Sequence, residues 1–106
     1  ATVDYNQKQI DGPTDKVLPL GDLRAKWEAF GWQVIDIEKG NDISAILKGL
    51  AEAKSLTGKG KPVCILLHSE MGNGVDFMMG THAWHGKAPN QEQYEQAMKE
   101  LEGEVA

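Results

Sequence analysis

The sequence holds a single cysteine, Cys64, among its 106 residues. One cysteine allows neither a disulfide framework nor a zinc site built from several cysteines of this chain. Cys64 also lies inside an apolar run, where a thiol usually behaves as a small packed side chain. This cysteine usage is typical of a reducing compartment, and we expect a cytoplasmic protein.

Long apolar runs and an excess of basic residues are also missing. No stretch approaches the roughly 18 apolar residues of a membrane span, and no charged-then-apolar leader opens the sequence. The 11 Lys and Arg residues are scattered and stand against 16 Asp and Glu, for a formal net charge of −5. We therefore expect no nucleic-acid partner and no membrane partner.

The rest of the composition is that of a folded protein. Hydrophobic residues make up 41% of the chain and charged residues 25%, which excludes a disordered tail or a fibrous segment. The length suits one core rather than two. The sequence opens without Met on a segment of strand character, so we expect residues 1–106 to form a single partial domain that begins inside a larger one.

Strand and helix signals alternate along the chain. Apolar residues at helical spacing, preceded by capping residues and followed by glycine, predict helices, whereas short β-branched runs predict strands. The predicted strands are residues 1–5, 32–37 and 63–67, and the predicted helices lie between Asp22 and Gly31, from Asn41 or Asp42 to about residue 57, and from Asn90 to about residue 102, with a fraying tail at 103–106.

Each predicted helix carries an apolar stripe that we expect to face the core. The spacing of i, i+3, i+4 and i+7 places such residues on one side of a helix. The stripes are Leu23, Trp27 and Phe30; then Ile43, Ile46, Leu47 and Leu50; and then Tyr94, Ala97, Met98 and Leu101.

This order of elements predicts an α/β fold with a parallel sheet and flanking helices. Strand–helix–strand connections of this length form right-handed crossovers between parallel strands. The run at 63–67, Val-Cys-Ile-Leu-Leu, is apolar without alternation, as in a strand covered on both faces. We expect it to be the centre of the sheet.

The segment from residue 68 to residue 89 is glycine-rich and irregular, and it holds all three histidines. His82 and His85 are three residues apart, so the pair is able to bind a metal or to transfer protons near neutral pH. Without a third ligand the indication of zinc is weak, and solvated or hydrogen-bonded loop histidines are an equal alternative. The same alternatives hold for His68.

Other residues beside the predicted strands have both a functional and a structural interpretation. The Gly72–Gly74 turn is able to present backbone N–H groups to an anion, but it lacks a dinucleotide fingerprint. Asn6 follows the first strand, at the sheet edge where open α/β folds bind ligands, although a lone Asn there is more often a turn residue. The loop residues Met71, Phe77, Met78 and Met79 suggest a covered surface.

Three separated blocks, taken together, match a known family. They are VDYNQKQIDG at 3–12, LRAKWEAFGW at 23–32 and AWHGKAPN at 83–90. From about residue 3 to residue 101 the chain resembles the C-terminal part of the thiamine-diphosphate-binding domain of transketolase, in the form of the N-terminal subunit of a split, two-chain transketolase. The resemblance implies a partial, Rossmann-like thiamine-diphosphate-binding domain.

The resemblance also implies roles for four residues. The Asn6 side-chain oxygen and the Lys8 backbone carbonyl would bind the divalent ion, Mg²⁺ or Ca²⁺, that holds the cofactor diphosphate, in keeping with the oxygen ligands that these ions choose. Ile10 would pack against the rings of thiamine diphosphate. His85 would be catalytic and cofactor-binding, reaching the diphosphate and the hydroxyl end of the substrate.

The implied reaction is transfer of a two-carbon ketol unit between sugar phosphates. Several family parts are absent from these 106 residues, among them the Gly-Asp-Gly half of the metal site and the pyrimidine-binding domain. The segment at 71–74, Met-Gly-Asn-Gly, also replaces the basic Lys-Gly-Lys-Gly of many transketolases. We therefore expect this chain alone to be inactive and to work in an oligomer with the remaining transketolase segments or subunit.

Two alternatives to a transketolase piece stay open. One is a non-catalytic α/β module that docks onto another chain through its apolar surfaces. The other is a component of a different thiamine-diphosphate enzyme, although the Trp84–Gly86 block favours transketolase. Catalysis requires Asn6 and His85 to converge on one cleft, whereas docking does not.

Overall fold

The computed structural model describes residues 1–104, with the side chain of Glu104 left out. The chain divides into two compact units, Ala1–Asn6 with Pro19–Ser69 and Gln7–Leu18 with Glu70–Ala106. Within the described part no helix is long and apolar enough to cross a membrane. The expectation of a single partial domain over residues 1–106 stays a prediction.

Nine elements follow one another along the described chain. Most have the type and position that the sequence predicts, and the additions lie between residues 8 and 17. The elements are β1 Thr2–Asp4, β2 Lys8–Gln9, β3 Gly12–Pro13, α1 Thr14–Val17, α2 Leu23–Ala29, β4 Gln33–Ile37, α3 Ile43–Leu56, β5 Val63–Leu67 and α4 Gln91–Glu104.

The first unit contains a parallel three-stranded sheet in the order β1-β5-β4. Ile65 of β5 lies beside Thr2 of β1 and Ile35 of β4. The sheet separates two apolar clusters, one around Cys64 and Leu66 and the other around Ile65. The predicted α/β class and the central position of β5 are confirmed, and coverage of both faces explains why β5 is apolar without alternation.

Helix α2 packs against the cluster around Cys64 through Leu23 and Trp27. It begins at the Asp22 cap, whose side chain accepts a hydrogen bond from the Ala25 N–H at 2.9 Å. The prediction that Phe30 is buried was wrong, because its side chain is 85% exposed. The helix ends at Ala29, and Trp32 instead of Phe30 packs edge-on against Trp27, with ring centroids 4.8 Å apart.

Helix α3 packs against the other face of the sheet through small residues. Ala45, Ala53 and Leu56 contact the cluster around Ile65, and Gly49 is buried. The predicted stripe was therefore largely wrong, since it contains none of these residues and its large side chains would hold the helix away from the isoleucines of β4 and β5. Three of them lie outside: Ile43 is 69%, Leu47 61% and Leu50 48% exposed.

The second unit consists of a short antiparallel hairpin, one helical turn, a loop and α4. Lys8 pairs with Pro13 in the hairpin. The predicted capping box of α4 is confirmed: the Asn90 side chain accepts from the Gln93 N–H at 2.9 Å, and the Gln93 side chain accepts from the Asn90 N–H at 3.0 Å.

Of the predicted α4 stripe only Ala97 is buried, whereas Tyr94 is 51% exposed and Met98 and Leu101 are 39% exposed. The stripe is therefore half open to solvent instead of covered by a core. The helix continues through Gly103, so the predicted fraying does not begin there. The remaining part of that prediction, residues 105–106, lies outside the described residues.

Candidate functional site

The carboxyl end of β1 carries the predicted metal ligand Asn6. The Asp4 carboxylate accepts hydrogen bonds from the Asn6 side-chain amide nitrogen, at 3.4 Å, and from the Ser69 hydroxyl. Because the Asn6 nitrogen faces Asp4, the side-chain oxygen is the atom suited to a cation. Asn6 is half-buried at the strand end where open parallel sheets bind ligands, as the sequence predicts.

The residue after Asn6, Gln7, has a left-handed backbone with φ of 63°. It is the only non-glycine residue with positive φ in the described part of the chain. Two hydrogen bonds hold the turn: the Thr14 N–H donates to the Gln7 carbonyl at 2.9 Å, and the Thr14 hydroxyl donates to the Gln7 side chain at 3.4 Å. Strained residues of this kind concentrate at ligand sites, and Gln7 alone separates the two predicted metal ligands, Asn6 and Lys8.

In the second unit, Ile10 lies beside the segment that carries His85. The Ile10 side chain is 63% exposed. A Cβ on Gly86 would lie 3.4 Å from Ile10 Cδ1, at ordinary contact distance. The structure therefore brings Ile10 next to the immediate neighbour of His85, and His85 is itself exposed.

Trp84 fixes the chain at His85. Its indole N–H donates to the Phe77 carbonyl at 3.0 Å, and the two rings meet edge to face with centroids 5.1 Å apart. The Lys87 ammonium lies 4.6 Å from the centre of the Trp84 ring. The His85 N–H donates to the His82 carbonyl at 3.0 Å and closes the turn. These contacts order a segment with little regular secondary structure.

The glycine turn that suggested an anion site also has a packing explanation. Gly72 has a φ of 77°, and a Cβ there would fall 2.5 Å from Met78 Cβ. Two backbone hydrogen bonds, from Val75 to Gly72 and from Met78 to Val75, tighten the loop over the buried Val75. Close packing alone therefore requires glycine at position 72.

Sequence reasoning missed a charged cluster at the carboxyl ends of β4 and β5. His68 Nε2 lies 2.8 Å from Asp36 Oδ1 and 3.9 Å from Glu38 Oε1. Arg24 of α2 donates to the other oxygen of Asp36 and to the Val34 carbonyl. The sequence does show two acidic residues, Asp36 and Glu38, at the end of a predicted strand. It does not show that they lie near His68, because this proximity comes from the pairing of β4 with β5.

The ionisation of Asp36 follows from these neighbours. Burial acts to raise the pKa of Asp36, but hydrogen bonds with His68 and Arg24, together with the charge of Arg24, outweigh burial and lower it below its usual range. The hydrogen bond from Arg24 to Asp36 also raises the pKa of Arg24, against the opposing effect of burial. Asp36 is therefore an ionised carboxylate at neutral pH.

The predicted ligand residues offer chemistry that fits a divalent ion and an aromatic cofactor. An Asn amide oxygen and a backbone carbonyl are the hard donors that Mg²⁺ and Ca²⁺ prefer. The exposed Ile10 beside a glycine supplies an apolar surface without a competing side chain. Asn6 belongs to the first unit and His85 to the second, so their convergence on one cleft stays a prediction.

Comparison with known proteins shows the family of the chain. Residues 1–104 match the family model described as "Transketolase, thiamine diphosphate binding domain". The chain belongs to the transketolase family. Within this family it is similar to one of the subunits of the apulose-4-phosphate transketolase of Phocaeicola vulgatus, with 37% identity over 95% of the chain and 35% of that protein.

A second transketolase relative has a comparable extent of similarity. The 6-deoxy-6-sulfo-D-fructose transketolase subunit SqwG of Clostridium sp. (strain MSTE9) is 41% identical over the whole chain and 38% of its own length. The chain therefore spans little more than a third of the length of these two curated relatives. In both, the match is to one subunit of a transketolase.

A solved transketolase shows the same fold. The transketolase of Pichia stipitis, in its complex with sedoheptulose-7-phosphate, superimposes with a TM-score of 0.84 and 29% identity. The match covers 96% of the chain and 15% of that protein. The α/β fold predicted from the sequence is thus the fold of a transketolase segment.

Proposed function

We propose that the chain is the cofactor-holding part of a transketolase-type transferase that moves a two-carbon ketol unit between sugar phosphates. The observation that carries the proposal is the family match over residues 1–104, in a chain where Ile10 lies beside the His85 segment. When bound, thiamine diphosphate supplies the nucleophilic carbon and the electron sink that ketol transfer needs.

Asn6 and Lys8 are proposed to hold the divalent ion. Asn6 would use its side-chain oxygen, because Asp4 holds the side-chain nitrogen. Lys8 would use its backbone carbonyl, so the role survives a change of side chain at position 8. The left-handed turn at Gln7 supports this assignment, since it redirects the chain sharply between the two ligands. Both Mg²⁺ and Ca²⁺ take oxygen donors.

Ile10 and His85 are proposed to face the cofactor and the substrate. Ile10 would exclude water from one face of the cofactor rings, which is consistent with its 63% exposure in this chain. His85 would donate a hydrogen bond to a phosphate or substrate oxygen and move a proton there, for which an imidazole suits near-neutral pH. The contacts of Trp84 would keep His85 in place.

Other polypeptide is proposed to complete the site. The chain spans 35% and 38% of the two relatives described above, which are named as subunits, and the apolar residues Ile43, Leu47 and Leu50 of α3 are exposed. We propose that this chain alone is inactive, that it functions in an oligomer with the rest of a transketolase, and that it acts in the cytoplasm.

The test is ketol transfer by the full natural protein with its partner polypeptides. Transfer from a ketose phosphate to an aldose phosphate is measured while Mg²⁺ and thiamine diphosphate are varied. Asn6→Ala should raise the Mg²⁺ concentration that half-saturates activity. His85→Ala should lower kcat/KM by roughly 10²- to 10⁴-fold, as loss of a proton-transferring group does.

The matched control is His82→Ala, because the contact of His82 with His85 uses the backbone carbonyl, which alanine retains. This variant should keep near-normal activity. The proposal is wrong if His85→Ala retains full activity, or if no ketose phosphate is a substrate while the protein is folded and assembled with its partners. The second result would favour the docking module.

A further inference from the structure

The cluster of Asp36, Glu38 and His68 contains none of the four residues assigned to the cofactor and its metal ion. One donor atom from each of the three side chains lies within 4.8 Å of the other two. His68 Nε2 is the central atom, 2.8 Å from Asp36 and 3.9 Å from Glu38. The cluster therefore combines one imidazole nitrogen with two carboxylates, a set of donors that proteins use for metals.

Strand pairing brings these donors together. Ile37 and Leu67 are partners at the ends of β4 and β5, and His68 follows directly. Two backbone hydrogen bonds hold His68 in position: its N–H donates to the Ile37 carbonyl at 3.0 Å, and its carbonyl accepts from the Gly40 N–H at 2.8 Å. Asp36 lies in β4 and Glu38 directly follows the last residue of that strand, and both carboxylates lie near His68.

The charges of the cluster favour a divalent cation. Arg24 contacts the cluster through Asp36, and its guanidinium also pairs with Glu28 at 2.9 Å. Asp36 and Glu38 bring two carboxylates to His68, and Glu28 brings a third to Arg24. Arg24 contacts only one oxygen of Asp36, and His68 contacts the other.

We propose that His68 Nε2 and the carboxylates of Asp36 and Glu38 bind a divalent transition-metal ion of the zinc class. Imidazole with carboxylates suits Zn²⁺ and Co²⁺, whereas Mg²⁺ prefers oxygen donors alone. Three protein ligands leave a coordination position for water. Arg24 orients Asp36, in the way that outer hydrogen bonds orient the ligands of metal sites.

The consequence is a metal link between the ends of β4 and β5. A ligand that binds the folded state alone stabilises it in proportion to the logarithm of its concentration over its Kd. The donors of this link differ from those proposed at Asn6 and Lys8, because an imidazole nitrogen suits an ion of the zinc class and oxygen donors alone suit Mg²⁺ or Ca²⁺.

The test is a titration of Co²⁺, a visible-absorbing substitute for Zn²⁺, into the untagged full-length protein. Thiamine diphosphate and millimolar Mg²⁺ are present throughout, so that the oxygen-donor site is already filled. We expect a saturable absorption band that Zn²⁺ abolishes by competition. His68→Gln should remove the band, and Glu38→Gln should weaken Co²⁺ binding by about tenfold or more.

Glu38→Gln separates loss of metal binding from loss of folding, because the Glu38 side chain is 78% exposed and its replacement leaves the fold intact. His82→Gln is the matched histidine control and should keep the band. The proposal is overturned if no saturable band forms, or if Co²⁺ binds the His68→Gln and Glu38→Gln variants as tightly as the unmodified protein.

Discussion

Gly49 of α3 lies directly against Ile37 of β4. A Cβ on Gly49 would fall 2.3 Å from Ile37 Cδ1, a separation that side-chain atoms do not tolerate. The helix therefore lies so close to the sheet that a residue larger than glycine at this position would force the Ile37 side chain to shift. Ala45 and Ala53, on the same side of α3, allow the same close approach.

Gly49→Ala is expected to destabilise the protein, although alanine is the better helix former. The added methyl group must displace the Ile37 side chain in a packed core, which costs about 1 to 3 kcal/mol and exceeds the gain in helix propensity. The measurement is the urea unfolding midpoint. Gly103→Ala, at a helical glycine with nothing within 4 Å, is the control and should not destabilise. Equal midpoints for Gly49→Ala and the unmodified protein would contradict the close packing.

The two sides of α3 should respond differently to loss of a leucine. Leu56→Ala removes a side chain that packs against the cluster around Ile65, so we expect a loss of roughly 2 kcal/mol in the free energy of unfolding. Leu47→Ala changes a side chain that is 61% exposed, and a surface change of this kind costs about 0.5 kcal/mol or less. Chemical denaturation of both variants measures the two losses in the free energy of unfolding. A larger loss for Leu47→Ala than for Leu56→Ala would support the apolar stripe that the sequence predicts.

Cys64 should make the protein less stable in alkaline solution. Burial raises the pKa of the Cys64 thiol, so above its usual range, about 8.5, the unfolded chain ionises while the folded chain does not. Stability from this group is complete below the unfolded pKa and is lost as pH rises toward the folded pKa.

The check on Cys64 is the free energy of unfolding against pH, compared with Cys64→Ala, which has no thiol to titrate. The two curves should run parallel near pH 7, and that of the unmodified protein should fall faster above about pH 8.5. Since Cys64 has no exposed surface, iodoacetamide should label it only when the protein unfolds. Rapid labelling of the folded protein would show that the thiol is accessible.

The sequence predicted the parallel sheet and the three main helices because their signals are local. Asp22 and the Asn90–Gln93 pair mark helix starts, and the unbroken apolar run of β5 marks a covered strand. The hairpin at Lys8–Pro13 and the helical turn after it were not predicted, because elements of two to four residues are too short to show a period.

The predictions that failed depended on which residues face the sheet. Helical spacing selected Leu47 and Leu50 for the core, but the large side chains of Ile35 and Ile37 already fill the space under α3. Periodicity records where apolar residues lie, not how far apart two elements pack. Only the structure therefore shows that Gly49 faces the sheet.

The candidate site was also predicted only in part from the sequence. Asn6, Lys8, Ile10 and His85 came from the resemblance to transketolase, and local contacts at Gln7 and Gly86 support them without testing their roles. The Asp36–His68 pair was missed because 32 positions separate the two residues and only strand register joins them. A single sequence holds no direct signal for such pairing.

The proposed function requires this chain to supply part of a thiamine-diphosphate and metal site that other polypeptide completes. Calorimetric titration of thiamine diphosphate with Mg²⁺ tests this requirement, first with this chain alone and then with the chain mixed with the remaining transketolase segments and partner subunit. We predict that thiamine diphosphate binds only in the mixture. We also predict that it binds more weakly when the chain carries the Asn6→Ala substitution. No heat of binding in any mixture, with every component folded, would contradict the proposed function.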